Sequence, residues 1–171
     1  TYYSLNEENE LLVEYTAQTD KPTHVNFTNH SYFNLSGKDE TIENHLLKIN
    51  SSVVTETNKD LVSNGKLLNI EGTEYDFRKF KTVGNNSNDG FDVNYVFDKS
   101  GDELIMMAEL YEKKSGRTLK VYSDAPGMQF YSSNFLDGTI KGKKSIPYRK
   151  FMALCFEPQC FPNSPNIQHF P

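Results

Sequence analysis

The sequence predicts an all-β fold, a large antiparallel β-sandwich, from three observations. Residues that favour strands are abundant, with 10 Tyr and 12 Phe among 171 residues. No convincing amphipathic helix, repeat or low-complexity stretch is present. Short apolar or alternating runs are separated by turn residues, as in sandwiches. The length fits one domain or a large piece of one, so residues 1–171 are predicted to form a single unit.

Charge and hydropathy exclude several classes of partner. The formal net charge is -5, and Lys and Arg are scattered along the chain, so we expect neither a nucleic-acid nor an anionic-membrane surface. No apolar stretch approaches the roughly 20 residues that a membrane helix requires. The chain begins at Thr1 rather than Met, and the sequence leaves open whether a signal peptide was removed.

The two cysteines, Cys155 and Cys160, favour a reduced thiol state. They do not form a Cys-x-x-Cys pair, and no His or Cys cluster lies near them in sequence. The sequence therefore predicts no metal site and a cytoplasmic location, where thiols stay reduced.

The first third of the chain predicts two strands joined by a proline turn. Residues 10–19 form the first, and Asp20-Lys21-Pro22 follows as the turn. Residues 23–35 form the second, whose start alternates apolar and polar side chains. The polar face of that alternation carries His24, Asn26, Thr28 and His30.

The middle of the chain predicts a loop-rich span followed by a meander. Residues 45–49 are a short strand, and residues 55–80 are loop-rich, with Ser63-Asn64-Gly65 as a turn. A polar loop covers residues 85–90. Glycine-containing connections of hairpin length then separate short runs rich in strand-forming residues. These predicted strands are residues 93–97, 104–111, 118–122 and 128–132.

The last strand is predicted to be buried and to end at a carboxylate. Six apolar residues, 151–156, run without a break into Glu157 and Pro158. Proline disfavours the helical region for the preceding residue, so Glu157 is expected in extended backbone. A carboxylate at the end of a buried strand is a candidate general base. The alternative is a Glu that turns out to solvent. The proline-rich tail that follows is predicted to wrap a surface.

Three other polar residues stand out as candidates. His30 can donate or accept a proton near neutral pH, or it can be a structural histidine. Asp92 follows an Asp-Gly-Phe turn and can bind a ligand or cap that turn. Gln129 follows the Pro126-Gly127 break. These residues are far apart in sequence, and a sandwich could gather them on one concave face.

Five motifs, in the same order, resemble the galactose mutarotase (aldose 1-epimerase) family. The resemblance spans nearly all of the chain, and its Asn-His-Ser-Tyr-Phe-Asn-Leu and Glu-Pro-Gln segments are specific. The motifs are Thr23-His-Val-Asn-Phe-Thr-Asn-His-Ser-Tyr-Phe-Asn-Leu35, Gly72-Thr-Glu-Tyr-Asp-Phe-Arg78, Gly90-Phe-Asp92, Pro126-Gly-Met-Gln-Phe-Tyr131 with Asn134-Phe-Leu-Asp-Gly138, and Phe156-Glu-Pro-Gln-Cys-Phe-Pro-Asn-Ser-Pro-Asn166.

The resemblance implies a mutarotase-like supersandwich with a sugar on its concave face, of which this chain is the later half. It implies that Glu157 is the general base and His30 the general acid. Asp92 and Gln129 match positions that bind sugar hydroxyls, and Asn166 matches a position near the site. The implied reaction interconverts the α and β anomers of free hexoses such as galactose and glucose, without a cofactor. The implied partner, besides the sugar, is the earlier half of the domain.

Two alternatives remain open at the level of sequence. The first is a carbohydrate-binding protein that keeps the groove without turnover, because the family's further His and Arg belong to its earlier half. The second is a hexose-6-phosphate 1-epimerase of the same fold, which needs clustered basic residues for the phosphate. Arg78, Arg117 and Arg149 are isolated from one another in sequence, so this alternative ranks last.

Overall fold

Two antiparallel sheets form the body of the computed structural model, which describes residues 1–84, 89–99 and 101–171. The five-stranded sheet contains β4 (Val53–Thr57), β5 (Ser63–Asn69), β7 (Asp92–Val96), β10 (Gly127–Tyr131) and β13 (Cys155–Gln159). Its strand order is β13-β10-β7-β4-β5. The four-stranded sheet contains β3 (Leu46–Ile49), β6 (Lys81–Thr82), β8 (Ile105–Tyr111) and β9 (Thr118–Ser123), in the order β6-β3-β8-β9.

Two strand pairs lie outside these sheets. The first pairs β1 (Tyr2–Leu5) with β2 (Leu11–Glu14), and the second pairs β11 (Asp137–Lys141) with β12 (Pro147–Arg149). Helical structure among the described residues amounts to two short 3₁₀ turns, Lys143–Ser145 and Ser164–Asn166. No helix in the described ranges is long and apolar enough to cross a membrane.

The core lies between the two large sheets, which confirms the predicted antiparallel sandwich. Side chains of both sheets belong to one cluster of buried apolar residues. Leu47 and Leu110 come from the four-stranded sheet, and Tyr95 and Phe130 come from the five-stranded sheet. Because successive strand residues point to opposite faces, burial of Phe130 and Phe156 turns Gln129 and Glu157 to the outer face of their sheet.

The predicted strand over residues 23–35 is wrong for most of its length. Phe33 alone forms a ladder contact there, an isolated bridge to Leu154. Asparagine side chains supply the competing hydrogen bonds: Asn29 Oδ1 accepts from the Ser31 N–H at 3.0 Å, and Asn34 Oδ1 accepts from the Ser36 N–H at 3.0 Å. Such local turns offer the backbone an alternative to a ladder.

The span over residues 55–80, predicted to be loop-rich, contains the end of β4 and all of β5. Ser63-Asn64-Gly65, predicted as a turn, is the start of β5. The connection turns earlier, where Asn58 Oδ1 accepts from the N–H groups of Asp60 and Val62. Gly65 keeps a left-handed φ of 92° inside its strand, and the pairing of β4 with β5 shifts register, as at a β-bulge.

The final strand begins four residues later than predicted and occupies a sheet edge. β13 pairs with β10 on one side, and its Pro158 lies opposite Met128. An edge position tolerates proline because the missing N–H is not required there by a second neighbour. The tail then packs over β5, where Asn163 Nδ2 donates to the Ser63 carbonyl at 2.9 Å. The predicted loop at residues 85–90 lies mostly outside the described residues.

Candidate active site

Six side chains of three neighbouring strands form one polar face on the outer surface of the five-stranded sheet. The register places Asn94, Gln129 and Glu157 side by side in one row. The next row contains Asp92, Tyr131 and Cys155. Because the two rows are separated by two residues on each strand, all six side chains project from the same side. We call this set the site face.

Glu157 lies at the edge of the site face and is 8 % exposed. It occupies the middle of β13, where the backbone is held by pairing with β10. Its neighbour Phe156 points into the core and stacks on Phe130 at a ring-centroid distance of 5.7 Å. The backbone of Glu157 is therefore held in the sheet, in the extended conformation that the sequence predicts.

His30 reaches Glu157 from outside the sheet. Its Nε2 lies 3.5 Å from Glu157 Oε1, and half of the His30 side chain is exposed. The imidazole stacks on Tyr32, with ring centroids 5.1 Å apart, and meets the edge of Tyr131 at 6.1 Å. Two aromatic contacts thus orient a ring that belongs to no strand.

A side-chain bridge ties the segment of His30 to the end of β13. Asn26 Oδ1 accepts from the Cys160 N–H at 3.0 Å, and Asn26 Nδ2 donates to the Cys160 carbonyl at 3.5 Å. Phe33 pairs with Leu154 on the other side of His30. The segment is therefore fastened to both ends of the strand that carries Glu157.

Burial raises the pKa of Glu157 above its ordinary value. The negative charge of Asp92 raises the pKa further, while the nearby His30 acts in the opposite direction. A carboxylate with a raised pKa binds a proton more strongly and is a better base near neutral pH.

Asp92 and Gln129 are joined by a hydrogen bond on the site face. Gln129 Nε2 donates to Asp92 Oδ1 at 2.7 Å. The other amide atom, Gln129 Oε1, is buried and has no hydrogen-bond partner among the described residues. A buried acceptor without a partner is uncommon in folded proteins and is often explained by a ligand or a water molecule.

The backbone before Asp92 is held by the segment that follows β10. The Phe91 N–H donates to Ser132 Oγ at 2.7 Å. Gly90 has a φ of 82°, and a Cβ at this position would lie 2.5 Å from Asn134 Cβ. Only glycine combines this left-handed conformation with so close an approach. Ser132 and Asn134 thus fix where Asp92 enters the sheet.

Asn166, the fifth predicted site residue, does not contact the other four through a described hydrogen bond. Its Nδ2 donates to Asn163 Oδ1 at 2.7 Å in the 3₁₀ turn of the tail, and its side chain is exposed. The structure therefore brings together His30, Asp92, Gln129 and Glu157, whereas the described hydrogen bond of the Asn166 side chain is made within the tail.

Sequence reasoning missed several members of this neighbourhood. The sequence predicts only a reduced thiol at Cys155, although alternation along β13 places it on the same face as Glu157. Asn94 stands two residues after Asp92, and neither of its buried amide atoms has a described partner. Tyr32 and Tyr131 lie inside two of the quoted motifs, yet the sequence does not indicate that their rings pack on His30.

A cavity of about 520 Å³ lies elsewhere on the molecule. None of the candidate residues lines it, and its walls include Asp39, Leu136 and Arg149. The candidate site is the largely buried site face beside the half-exposed His30, not this cavity.

Comparison with known proteins gives one consistent family. The sequence profile of the aldose 1-epimerase family matches residues 1–171. Galactose mutarotase of Bos taurus is 40% identical over 167 residues, covering 95% of this chain and 48% of the relative. Aldose 1-epimerase of Escherichia coli (strain K12) is 33% identical over 177 residues, covering 99% and 51%.

A solved structure extends this likeness to the fold. The crystal structure of the GalM/aldose epimerase homologue from C. elegans superposes with a TM-score of 0.86 at 28% sequence identity. The match covers 99% of this chain and 52% of that one. The chain thus spans about half the length of the curated relatives and of the solved structure that it matches.

Proposed function

This chain belongs to the aldose 1-epimerase family, and from that premise we propose that the protein interconverts the α and β anomers of free hexoses such as galactose and glucose. The relatives named galactose mutarotase and aldose 1-epimerase support an isomerase of this class. Because the chain spans about half of their length, the proposal concerns the intact protein that contains it.

The observation that carries the proposal is the approach of His30 Nε2 to Glu157 Oε1 at 3.5 Å. Ring opening of a hexose removes a proton from the anomeric hydroxyl and delivers one to the ring oxygen. A buried carboxylate with a raised pKa suits the first transfer, and an imidazolium suits the second. Each transfer contributes roughly 10²–10⁴-fold to the rate.

In the proposed mechanism, Glu157 and His30 carry out both proton transfers. Glu157 accepts the proton of the C1 hydroxyl while His30 protonates O5, and the C1–O5 bond breaks to give the open-chain aldehyde. Rotation about C1–C2 presents the other face of the carbonyl. O5 then attacks C1 as His30 takes back its proton and Glu157 returns one to the new hydroxyl. No net proton is gained or lost, and the cycle uses no cofactor.

Asp92 and Gln129 are proposed to bind sugar hydroxyls beside the reacting pair. Their mutual hydrogen bond fixes the Asp92 carboxylate, and the unpartnered Oε1 of Gln129 is an acceptor for a hydroxyl donor. Asn166 is proposed as a further substrate contact on family resemblance alone. It would have to leave its hydrogen bond with Asn163 to make that contact.

The remaining part of the family domain is the proposed partner of this chain, which forms its later half. Large apolar side chains of residues 1–27 are exposed, which indicates a surface that normally packs against protein. We also propose a cytoplasmic location and no nucleic-acid or membrane partner. The net charge of -5 and the two cysteines without a disulfide support this view.

The phosphate-specific alternative has little support from the arginines. Arg78 donates to Asp76 at 2.7 Å, Arg149 lies 3.5 Å from Asp39, and Arg117 donates to the Leu35 carbonyl at 2.9 Å. None of these contacts involves the site face, so the three arginines form no phosphate site beside Glu157.

Polarimetry on freshly dissolved α-galactose and α-glucose tests the proposal with the intact protein. Anomerisation is expected to run faster than in buffer, and Glu157→Gln is expected to remove most of the acceleration. Glu103→Gln, at an exposed loop position, is the matched control and should retain it. Sugar binding in calorimetry without acceleration would instead identify a carbohydrate-binding protein.

A further inference from the structure

The thiol of Cys155 lies beside the proposed acid and base but has no part in their proton transfers. One ligand atom each from His30, Cys155 and Glu157 lies within 4.8 Å of the other two. Cys155 and Glu157 are buried, while His30 is half-exposed. An imidazole, a thiol and a carboxylate in this proximity form a mixed donor set for a metal ion.

The spacing of the three ligand atoms is close to that of a zinc site. Bonds of about 2.0–2.3 Å place the ligand atoms of tetrahedral zinc about 3.3–3.6 Å apart. His30 Nε2 and Glu157 Oε1 are already 3.5 Å apart. Each of the other two pairs of ligand atoms lies within 4.8 Å and has to approach by about 1.5 Å at most. The half-exposed His30, outside the sheet ladders, can move toward Cys155. The Cys155–Glu157 pair, both on β13, has to close by rotation of these two side chains.

The chemistry of the donor set selects against hard cations. Mg²⁺ and Ca²⁺ take oxygen ligands almost exclusively, whereas a thiolate and an imidazole suit Zn²⁺. The charges also favour a dication, because Glu157 and Asp92 place carboxylates on a partly buried face. Burial and these carboxylates raise the pKa of the Cys155 thiol to about 12, so a bound cation would have to displace the thiol proton.

We propose that His30, Cys155 and Glu157 bind Zn²⁺ through three protein ligands, with a fourth position open to water. The bound ion occupies the imidazole nitrogen and the carboxylate that the proposed reaction needs, so it inhibits anomerisation. Binding of the metal is independent of the sugar chemistry, whereas the inhibition rests on the proposed function. The two parts can therefore fail separately.

The binding test is a titration of the intact protein with Co²⁺, the spectroscopic substitute for Zn²⁺, in the absence of sugar. The wild type is expected to bind one ion and to develop a near-ultraviolet thiolate-to-cobalt band. Cys155→Ser should lose this band, and the matched control Cys160→Ser should keep it. No band in the wild type, or an unchanged band in Cys155→Ser, would overturn the proposal.

A second variant guards against misfolding of Cys155→Ser. His30 is half-exposed, so His30→Asn should fold normally while losing one ligand. Calorimetry with Zn²⁺ should then show affinity lowered by at least about tenfold, since even outer-shell changes cost about 10–100-fold. Mg²⁺ should produce no comparable heat. Equal Zn²⁺ affinity in His30→Asn and the wild type would remove His30 from the site.

The inhibition test separates the metal site from the proposed reaction. Zn²⁺ should slow anomerisation, EDTA should restore it, and Cys160→Ser should respond like the wild type. Cys155→Ser should need at least about tenfold more Zn²⁺ for half-inhibition. Metal binding without any basal anomerisation would contradict the proposed function alone. Anomerisation that Zn²⁺ leaves unchanged despite binding would contradict the inhibitory role.

Discussion

The opening segment and the two-sheet sandwich differ in how they treat their apolar side chains. In residues 1–32 no apolar side chain is buried, whereas all the buried core side chains of the described residues come from Ile42 onward. Phe27 is 46 % exposed, while Phe130 is completely buried. Exposed members of the opening segment include Tyr2, Tyr3, Leu5, Leu11, Leu12, Val25 and Phe27.

The candidate site lies on the boundary between these regions. Glu157 belongs to the sandwich and is fixed by a strand ladder, whereas His30 belongs to the opening segment. His30 is held by ring contacts and by the neighbouring Asn26–Cys160 hydrogen bonds. The difference indicates that the proposed base is fixed by the fold of this chain, while the proposed acid depends on a segment whose apolar side chains are exposed.

The largest expected effect compares one phenylalanine from each region. In the 171-residue chain, Phe130→Ala should lower the free energy of unfolding by about 3–5 kcal/mol, because it leaves a cavity in the core. Phe27→Ala should cost about 0.5–1.5 kcal/mol, since its main loss is the stack on Tyr15 at 5.3 Å. Urea unfolding measures both.

Equal costs for the two substitutions would abolish the distinction between the regions. Repeating Phe27→Ala in the intact protein sharpens the comparison. A cost clearly greater than in the 171-residue chain is expected there if the rest of the domain covers the opening segment.

The next effect concerns the loop that delivers Asp92 to the site face. Gly90→Ala should destabilise by about 2–4 kcal/mol, because it adds left-handed strain and overlap with Asn134. Gly72→Ala is the matched control: its φ is 75°, but no atom lies within 4 Å of an added Cβ. It should cost about 1 kcal/mol. Thermal unfolding of both variants tests whether close packing, beyond backbone conformation, holds the loop.

A smaller effect is expected at the ring that orients His30. Tyr32→Leu removes the stack at 5.1 Å and should lower kcat/KM for anomerisation by about tenfold, with stability changed by less than about 0.5 kcal/mol. Tyr148→Leu, at another exposed tyrosine, should leave the rate unchanged. A wild-type rate in Tyr32→Leu would mean that the stack does not position the acid.

The smallest expected effect is a pH-dependent change of stability at Glu112, the residue after β8 of the sandwich. Glu112 accepts the N–H groups of Lys114 and Ser115 at 2.9 and 2.6 Å, which lowers its pKa to about 2. Because the folded pKa is below the unfolded value of about 4.3, this stabilisation is present above that value and is lost as pH falls toward 2. Glu112→Gln should therefore lower Tm at pH 7 more than at pH 3, and equal losses would contradict the assignment.

The sequence alone predicts the fold class and assigns four candidate residues to one site. Alternation and turn spacing predict the sandwich, and motif resemblance assigns His30, Asp92, Gln129 and Glu157 to one site. In the structure, His30 lies beside Glu157 and Gln129 donates to Asp92. Their roles stay predictions, as does that of Asn166. Cys155 could have been found from its spacing of two residues before Glu157 on one strand.

The errors have local causes that a pattern of hydrophobicity does not reveal. The start of the predicted strand over residues 23–35 alternates apolar and polar side chains, yet Asn29 supplies a turn hydrogen bond, and Val25 and Phe27 are exposed. Ser63-Asn64-Gly65 has the composition of a turn, yet a bulge absorbs its glycine within β5. In the first case a local side-chain hydrogen bond competes with the strand, and in the second the pairing of β5 with β4 decides the outcome.

A double-substitution cycle by polarimetry on the intact protein tests most directly whether the imidazole and the carboxylate act on one sugar. Glu157→Gln and His30→Asn should each lower kcat by roughly 10²–10⁴-fold. The doubly substituted protein should be only slightly slower than the worse single variant, because groups that act as a unit are not additive. A Glu157→Gln variant with the wild-type rate, or losses that simply multiply, would contradict the account.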